Sequence, residues 1–398
     1  LELARLAGEQ GDWERCLRWS AAQDRAALPD DIADAVCWWQ GRALEETGKP
    51  REAETLLLER IKTGRVSDPL VYLAYYRVAT SGAESAGTRF DAAFPRLQKT
   101  DSRTWALSRY LAGIVAVRSG EWKYAASMFS QYSSAGMGLF PEYDPWSRYY
   151  LAWSQYRLGR WAEAVAGFSA YLDGWVNHPA SWQAATAAAL SALQAEIDPL
   201  PFADRAVRSA PDMASKAESV LLQASILVDR KQYPGAEALL AGIADGTSTG
   251  ALTPSAPRAL FMLADIAMRQ KKNRLAEDRW LKLASLFPKD PLAGESVYRS
   301  AELSFVSADW SRSAELFAKY RQTWPTGKYL DVALRSGGTA WLNTGNVDLA
   351  ILWWEDLALK FPASPHASRA LADLVSACRS RKDWASARRY AEQYRTLF

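Results

Sequence analysis

Two histidines, three cysteines and some neighbouring carboxylates are all that this 398-residue chain offers to nucleophilic, acid–base or metal chemistry. His178 and His366 stand beside Pro179 and Pro365, far apart and with no second histidine at ligand spacing. Each reads as a loop residue and not as a zinc ligand or a general base. Cys16, Cys37 and Cys378 form no CxxC pair. Cys16 and Cys378 fall on packing positions of helical stretches and read as buried small residues. A Cys16–Cys37 disulfide stays open, because spacing alone does not fix its geometry. Adjacent carboxylates such as Glu45–Glu46 and Glu355–Asp356 lie on helical segments, where sequence neighbours point to different sides and share no substrate. The phosphate-cradling GxxxxGK[ST] loop is absent, as are GxGxxG, HExxH and GxSxG. The chain is expected to be no enzyme and to use no metal or cofactor.

What remains is a surface for binding. The net charge of +3, from 48 basic and 45 acidic residues, gives no footprint for a nucleic acid. No run of apolar residues is long enough to span a membrane. A hydrophobic content of 49% is ample for a continuous core. The expected partner is a protein or peptide, and the oligomeric state is left open.

The elements that would present such a surface are set by a countable period. Pro288, Pro325 and Pro362 stand 37 residues apart, and so do Lys272, Asp309, Asn346 and Asp383. Related anchors occur at Asp12, Lys49, Glu121, Arg160 and Gln232. The nine anchors are separated by 37, 72, 39, 72, 40, 37, 37 and 37 residues. Each 72-residue step holds two units, which places a degenerate repeat near Glu84 and another near Glu196. Before and after each anchor, apolar residues recur at three- and four-residue spacing, which predicts a pair of helices per unit. A proline then stops the second helix. A small residue four positions after the anchor (Ala276, Ser313, Ala350, Ala387) lets a neighbouring helix come close. No segment alternates as a strand does.

The pattern of GEWKYA, GRWAEAVAGFSAYL and the C-terminal copies resembles the tetratricopeptide repeat, whose unit is about 34 residues. The resemblance implies an all-α, right-handed superhelical solenoid of about eleven helix pairs. Three blocks are expected: irregular repeats over 1–245, a Gly/Ser/Thr/Pro-rich loop over 246–257, and regular repeats over 258–398. The stretch 241–258 reads as a surface connection, with a flexible joint as the alternative, and the stretch from Ala79 could bend the solenoid. The lengthened links FPKDPLAGES, WPTGKYLDVA and FPASPHASRA resemble bacterial cell-envelope members of the superfamily, of the Tol-Pal coordinator and outer-membrane assembly lipoprotein type. That implies a periplasmic or membrane-anchored scaffold, with cytosol as the alternative. A chain that begins at Leu1 without Met, directly in a helical pattern, is expected to have had any signal or lipid-attachment sequence removed.

By the same resemblance, the first helix of each pair lines a concave groove. Trp146, Tyr149, Trp153, Tyr156 and Arg157 then form the densest candidate contact, preceded by Leu107, Tyr110, Ile114, Val117 and Arg118. Aromatics and arginine are the residue types of interaction hot spots. Turned away from the core, Trp153 and Tyr156 would tolerate alanine without loss of stability while binding weakened. Further on the groove positions turn charged: Arg258, Asp265, Glu295, Glu302, Arg335, Arg369 and Arg379. The Lys/Asn clamp of chaperone-binding members is not reproduced, since Arg335 is followed by Thr339. The alternative function is the helical arm of a larger enzyme or regulator, for example one like a lytic transglycosylase, with its catalytic part outside this chain.

Overall fold

A computed structural model describes residues 1–68, 71, 74–75, 78, 102–246 and 253–398. The repeat expected near Glu84 and the irregular stretch from Ala79 lie outside the described residues, as do 247–252 of the 241–258 connection. Among the described residues there are 20 α-helices, one short 3-10 helix at Arg25–Ala27, and no strand. Consecutive helices pack as antiparallel neighbours within two compact units, Leu1–Ser209 and Ala210–Phe398.

The period has a concrete cause in one repeated turn. Every one of the nine anchors is the N-cap residue of a second helix. The residue before each anchor is left-handed: glycine at positions 11, 48, 120, 159 and 345, and Lys231, Lys271, Ala308 and Lys382 elsewhere. The anchor N–H then donates to the carbonyl five residues back, as from Asp12 to Ala7 at 2.8 Å and from Asp383 to Cys378 at 2.9 Å. This closes the first helix and aims the second back along it. At Asp12, Asp309 and Asp383 the side chain also caps the new helix, accepting from the third residue on.

The same turn geometry recurs at Glu196, where a degenerate repeat is expected. Glu196 has φ 58°, and Ile197 donates to Ala192 at 2.9 Å. This turn joins Ser181–Gln194 to Leu200–Ser209.

The core follows the anchors. The small residue four positions after each anchor is buried in every copy, from Cys16 to Ala387. Eight positions after the anchor lie Leu57, Phe129, Phe168, Leu240, Trp280, Phe317 and Trp354, all buried. Eleven positions after the anchor, three tyrosines tie down the following link with their hydroxyls. Tyr132 donates to Asp144 at 2.8 Å, Tyr171 meets His178 Nδ1 at 2.6 Å, and Tyr320 accepts from the Tyr329 N–H at 3.1 Å. His178 is thus a half-buried link residue, and burial holds its pKa below the usual histidine value. All three cysteines are free, buried thiols whose pKa is raised by burial, which leaves them poor nucleophiles.

Near the N-terminus one charge pair lies inside the fold. Asp34, on the helix Asp30–Glu46, accepts from Arg60 Nε at 2.7 Å. It also accepts from the Ser67 and Asp68 N–H groups at 2.6 and 2.9 Å. One carboxylate thereby fixes a helix to its partner and to the chain that leaves it.

Candidate functional site

The five aromatic-patch residues do not all face away from the core. Tyr149 is 8% exposed, packed among Trp153, Phe168 and Tyr171, and burial pushes its hydroxyl up to about 12. Tyr110 is equally buried, stacked on Tyr143 at 4.7 Å. Both are packing residues, because a first helix is flanked by its own second helix and by the one before it. Trp146, Trp153 and Tyr156 are half-buried against the same core. Trp146 sets its edge against His178 at 4.5 Å, and Tyr156 meets Trp161 at 5.5 Å. Alanine at Trp153 would empty space beside Tyr149 and Phe168, so this residue bears on stability, contrary to the sequence expectation. Arg157 is exposed and lies over the Trp122 ring at 4.4 Å, bridging two repeats. Arg118 is exposed near the Tyr150 hydroxyl.

The charged candidates of the second unit do come together. Glu295, Glu302 and Arg335, with Asp265, line one cleft of about 870 Å³. Three first helices build it: Ala256–Arg269, Pro291–Val306 and Leu330–Asn343. Its apolar wall includes Met268, Leu303, Phe305, Val306, Tyr329 and Val332. Two glycines, Gly337 and Gly338, admit the rings of Trp353 and Trp354 beneath the third helix. Trp354 Nε1 donates to the Arg335 carbonyl at 3.1 Å and so holds the backbone that carries Arg335.

Electrostatics organises the cleft around a residue that sequence reasoning missed. Arg299 reaches Asp265 at 3.2 Å and Glu295 at 2.7 Å, with its guanidinium over the Phe261 ring at 4.8 Å. The Glu295–Arg299 spacing of four could have signalled it. The Asp265 partner, one repeat away, could not be read from the sequence. Burial pushes the Asp265 carboxyl above the usual range, with Arg299 and Arg269 pulling the other way. Glu302 accepts a short bond from the Tyr298 hydroxyl, whose ring stacks on Tyr329 at 4.4 Å.

The cleft continues into a second hollow of about 470 Å³, lined by Arg335, Thr339, Arg369 and Asp373 among others. There Arg369 pairs with Asp373 at 3.3 Å, whose carboxyl is raised by burial. Arg258 is paired with Glu218 at 2.6 Å, outside the cleft, and Arg379 is exposed. Among the described residues no three His, Cys, Asp or Glu side chains are grouped to hold a metal. No described helix is long and apolar enough to cross a membrane.

Helix pairs joined by one repeated left-handed turn, with a cleft formed between first helices, define an all-α helical-repeat protein. Residues 146–173, the pair on either side of Arg160, match the model of the tetratricopeptide repeat family. The match covers one helix pair, Asp144–Arg157 and Trp161–Gly174. The fold of the chain is similar to the C-terminal part of a tetratricopeptide repeat-containing protein from Cytophaga hutchinsonii. That match has 13% identity and a TM-score of 0.51, covering 66% of this chain and 99% of that one. A tetratricopeptide repeat protein from Parabacteroides merdae matches at 14% identity and TM-score 0.41, over 69% of this chain and 98% of that one. The pilF protein of Pseudomonas aeruginosa matches at 17% identity and TM-score 0.38, over 57% and 97%. Among curated proteins none matches the chain.

Proposed function

We propose that the chain is a non-catalytic scaffold of a bacterial cell envelope that holds a protein or peptide partner in the cleft of its second unit. The observation that carries the binding reading is the cleft itself. Three successive first helices converge on an apolar wall edged by charged side chains. This is the composition of a contact surface: a desolvated apolar centre with a polar rim. The buried, pKa-raised thiols and the link-bound His178 supply no activated nucleophile or base to this surface.

The envelope reading is supported by the lengthened links of the 37-residue repeats, FPKDPLAGES, WPTGKYLDVA and FPASPHASRA, the feature that resembles envelope members of the superfamily. Cell fractionation, with the sequence encoded upstream of Leu1, tests it. The expected result is a signal peptide or lipid-attachment motif in the precursor and recovery with the periplasm or membranes. Recovery in cytosol, with a precursor that starts only a few residues before Leu1, would reject it.

A further inference from the structure

His178 stands in the link from Trp161–Gly174 to Ser181–Gln194, and one ring nitrogen holds that link together. Nδ1 lies 2.6 Å from the Tyr171 hydroxyl and accepts from the Ala180 N–H at 3.4 Å. A backbone N–H can only donate, so Nδ1 carries its lone pair and the Tyr171 O–H donates to it. The ring is therefore neutral, with its proton on Nε2. The His178 backbone serves the same turn, donating to the Trp175 carbonyl at 3.2 Å and accepting from the Ser181 N–H at 2.9 Å. Aromatic rings close around the imidazole. Trp146 of the preceding first helix lies at 4.5 Å and Tyr171 at 5.7 Å, itself packed on Tyr149 and Trp175.

Among the described residues no charge stands against this ring to offset a proton. Ser181–Gln194 carries no ionisable side chain. On the two helices before it, Asp144 is taken by the Tyr132 hydroxyl and the Gly138 N–H, Glu163 by Arg160, and Asp173 by Arg205. Arg157 is turned to the Trp122 ring. Burial alone accordingly lowers the pKa of His178.

We propose that the His178 link is a proton-operated joint between two repeats: a proton on Nδ1 removes the acceptor that Ala180 and Tyr171 share, and Ser181–Gln194 loosens from Trp161–Gly174. An imidazolium donates from both nitrogens and has no lone pair left to accept. The Ala180 N–H then faces another N–H, and a cation sits among rings that shield it from water. Trp146, a groove candidate, loses the ring it packs against. The fold favours the neutral imidazole, so the stability that this link contributes is present above the ordinary histidine value of 6.5 and is lost as pH falls below it.

The test follows amide exchange of Ser181–Gln194, corrected for the intrinsic effect of pH, at about pH 7.5 and about pH 5, the interval in which histidine changes charge. Protection should fall severalfold at the lower pH in the unaltered chain and in His366→Asn. In His178→Asn, whose side-chain oxygen can accept in place of Nδ1 and takes no proton, it should hold. Independently of how that variant folds, a nuclear magnetic resonance titration of the unaltered chain, which has only two histidines, should place His178 below 6.5. An equal fall in His178→Asn would assign the acid effect to carboxylates and overturn the proposal. Protection that holds at the lower pH in the unaltered chain would overturn it as well, and so would a His178 that titrates at or above 6.5.

Discussion

Asp34→Ala is expected to destabilise the N-terminal repeats by about 3–5 kcal/mol, the range for breaking a buried ion pair by removing one partner. Asp34 is fully buried, and Arg60 is 9% exposed. Removing the carboxylate leaves Arg60 Nε and the Ser67 and Asp68 N–H groups inside the fold without their acceptor, while Arg60 Nη2 keeps Asp30. An unsatisfied buried donor costs more than the bond it loses. Hydrogen exchange reads the effect locally, since repeat arrays lose protection unit by unit. Amides of Asp30–Glu46 and Pro50–Lys62 should exchange faster, while those of Ala210–Phe398 keep their rates. Unchanged protection at Asp30–Glu46 would mean that the pair contributes nothing there.

A similar loss, about 3–5 kcal/mol, is expected for Trp354→Ala in the second unit. Trp354 is 1% exposed and its ring lies against Gly338, where an added Cβ would stand 2.5 Å from Nε1. Gly337 and Gly338 each carry the propensity cost of about 1 kcal/mol for glycine inside a helix. That cost is tolerated because two indoles fill the space against the backbone. Trp354→Phe keeps most of the ring but not the bond to the Arg335 carbonyl, so its loss should be about 1–2 kcal/mol. Urea unfolding of the two variants orders them. No loss in Trp354→Phe would show that the hydrogen bond to Arg335 carries no weight, and equal losses in the two variants would show that the ring packing carries none.

The helix pairs were legible in the sequence because their turn chemistry repeats. Glycine before the anchor and a small residue after it each answer a local demand: a left-handed φ, and a close helix approach. The pair around Glu196 was found by counting alone, because glutamate at a left-handed position carries no signature. Glu295, Glu302 and Arg335, read as groove positions, line one cleft. The same reading failed for Tyr110 and Tyr149, since helical spacing does not tell which side of a first helix its second-helix neighbours cover. The charge state of the cleft was illegible for a different reason. Arg299 takes Asp265 from the preceding repeat, so which arginines remain unpaired depends on side chains 34 residues apart. Asp34 gave no signal at all; its bonds to Arg60, Ser67 and Asp68 exist only after the chain has turned back on itself.

Site-specific photo-cross-linking in the native cells tests most directly that the second unit holds a protein partner in this cleft. A photoreactive residue is placed at Val306, on the cleft rim, and in a separate variant at Leu359, which is 74% exposed and does not line the cleft. The expected result is a discrete protein adduct from Val306 that is lost when Arg335→Glu is added, and none of the same mass from Leu359. No adduct from Val306, or the same adduct from both positions irrespective of Arg335, would contradict a partner site in the cleft.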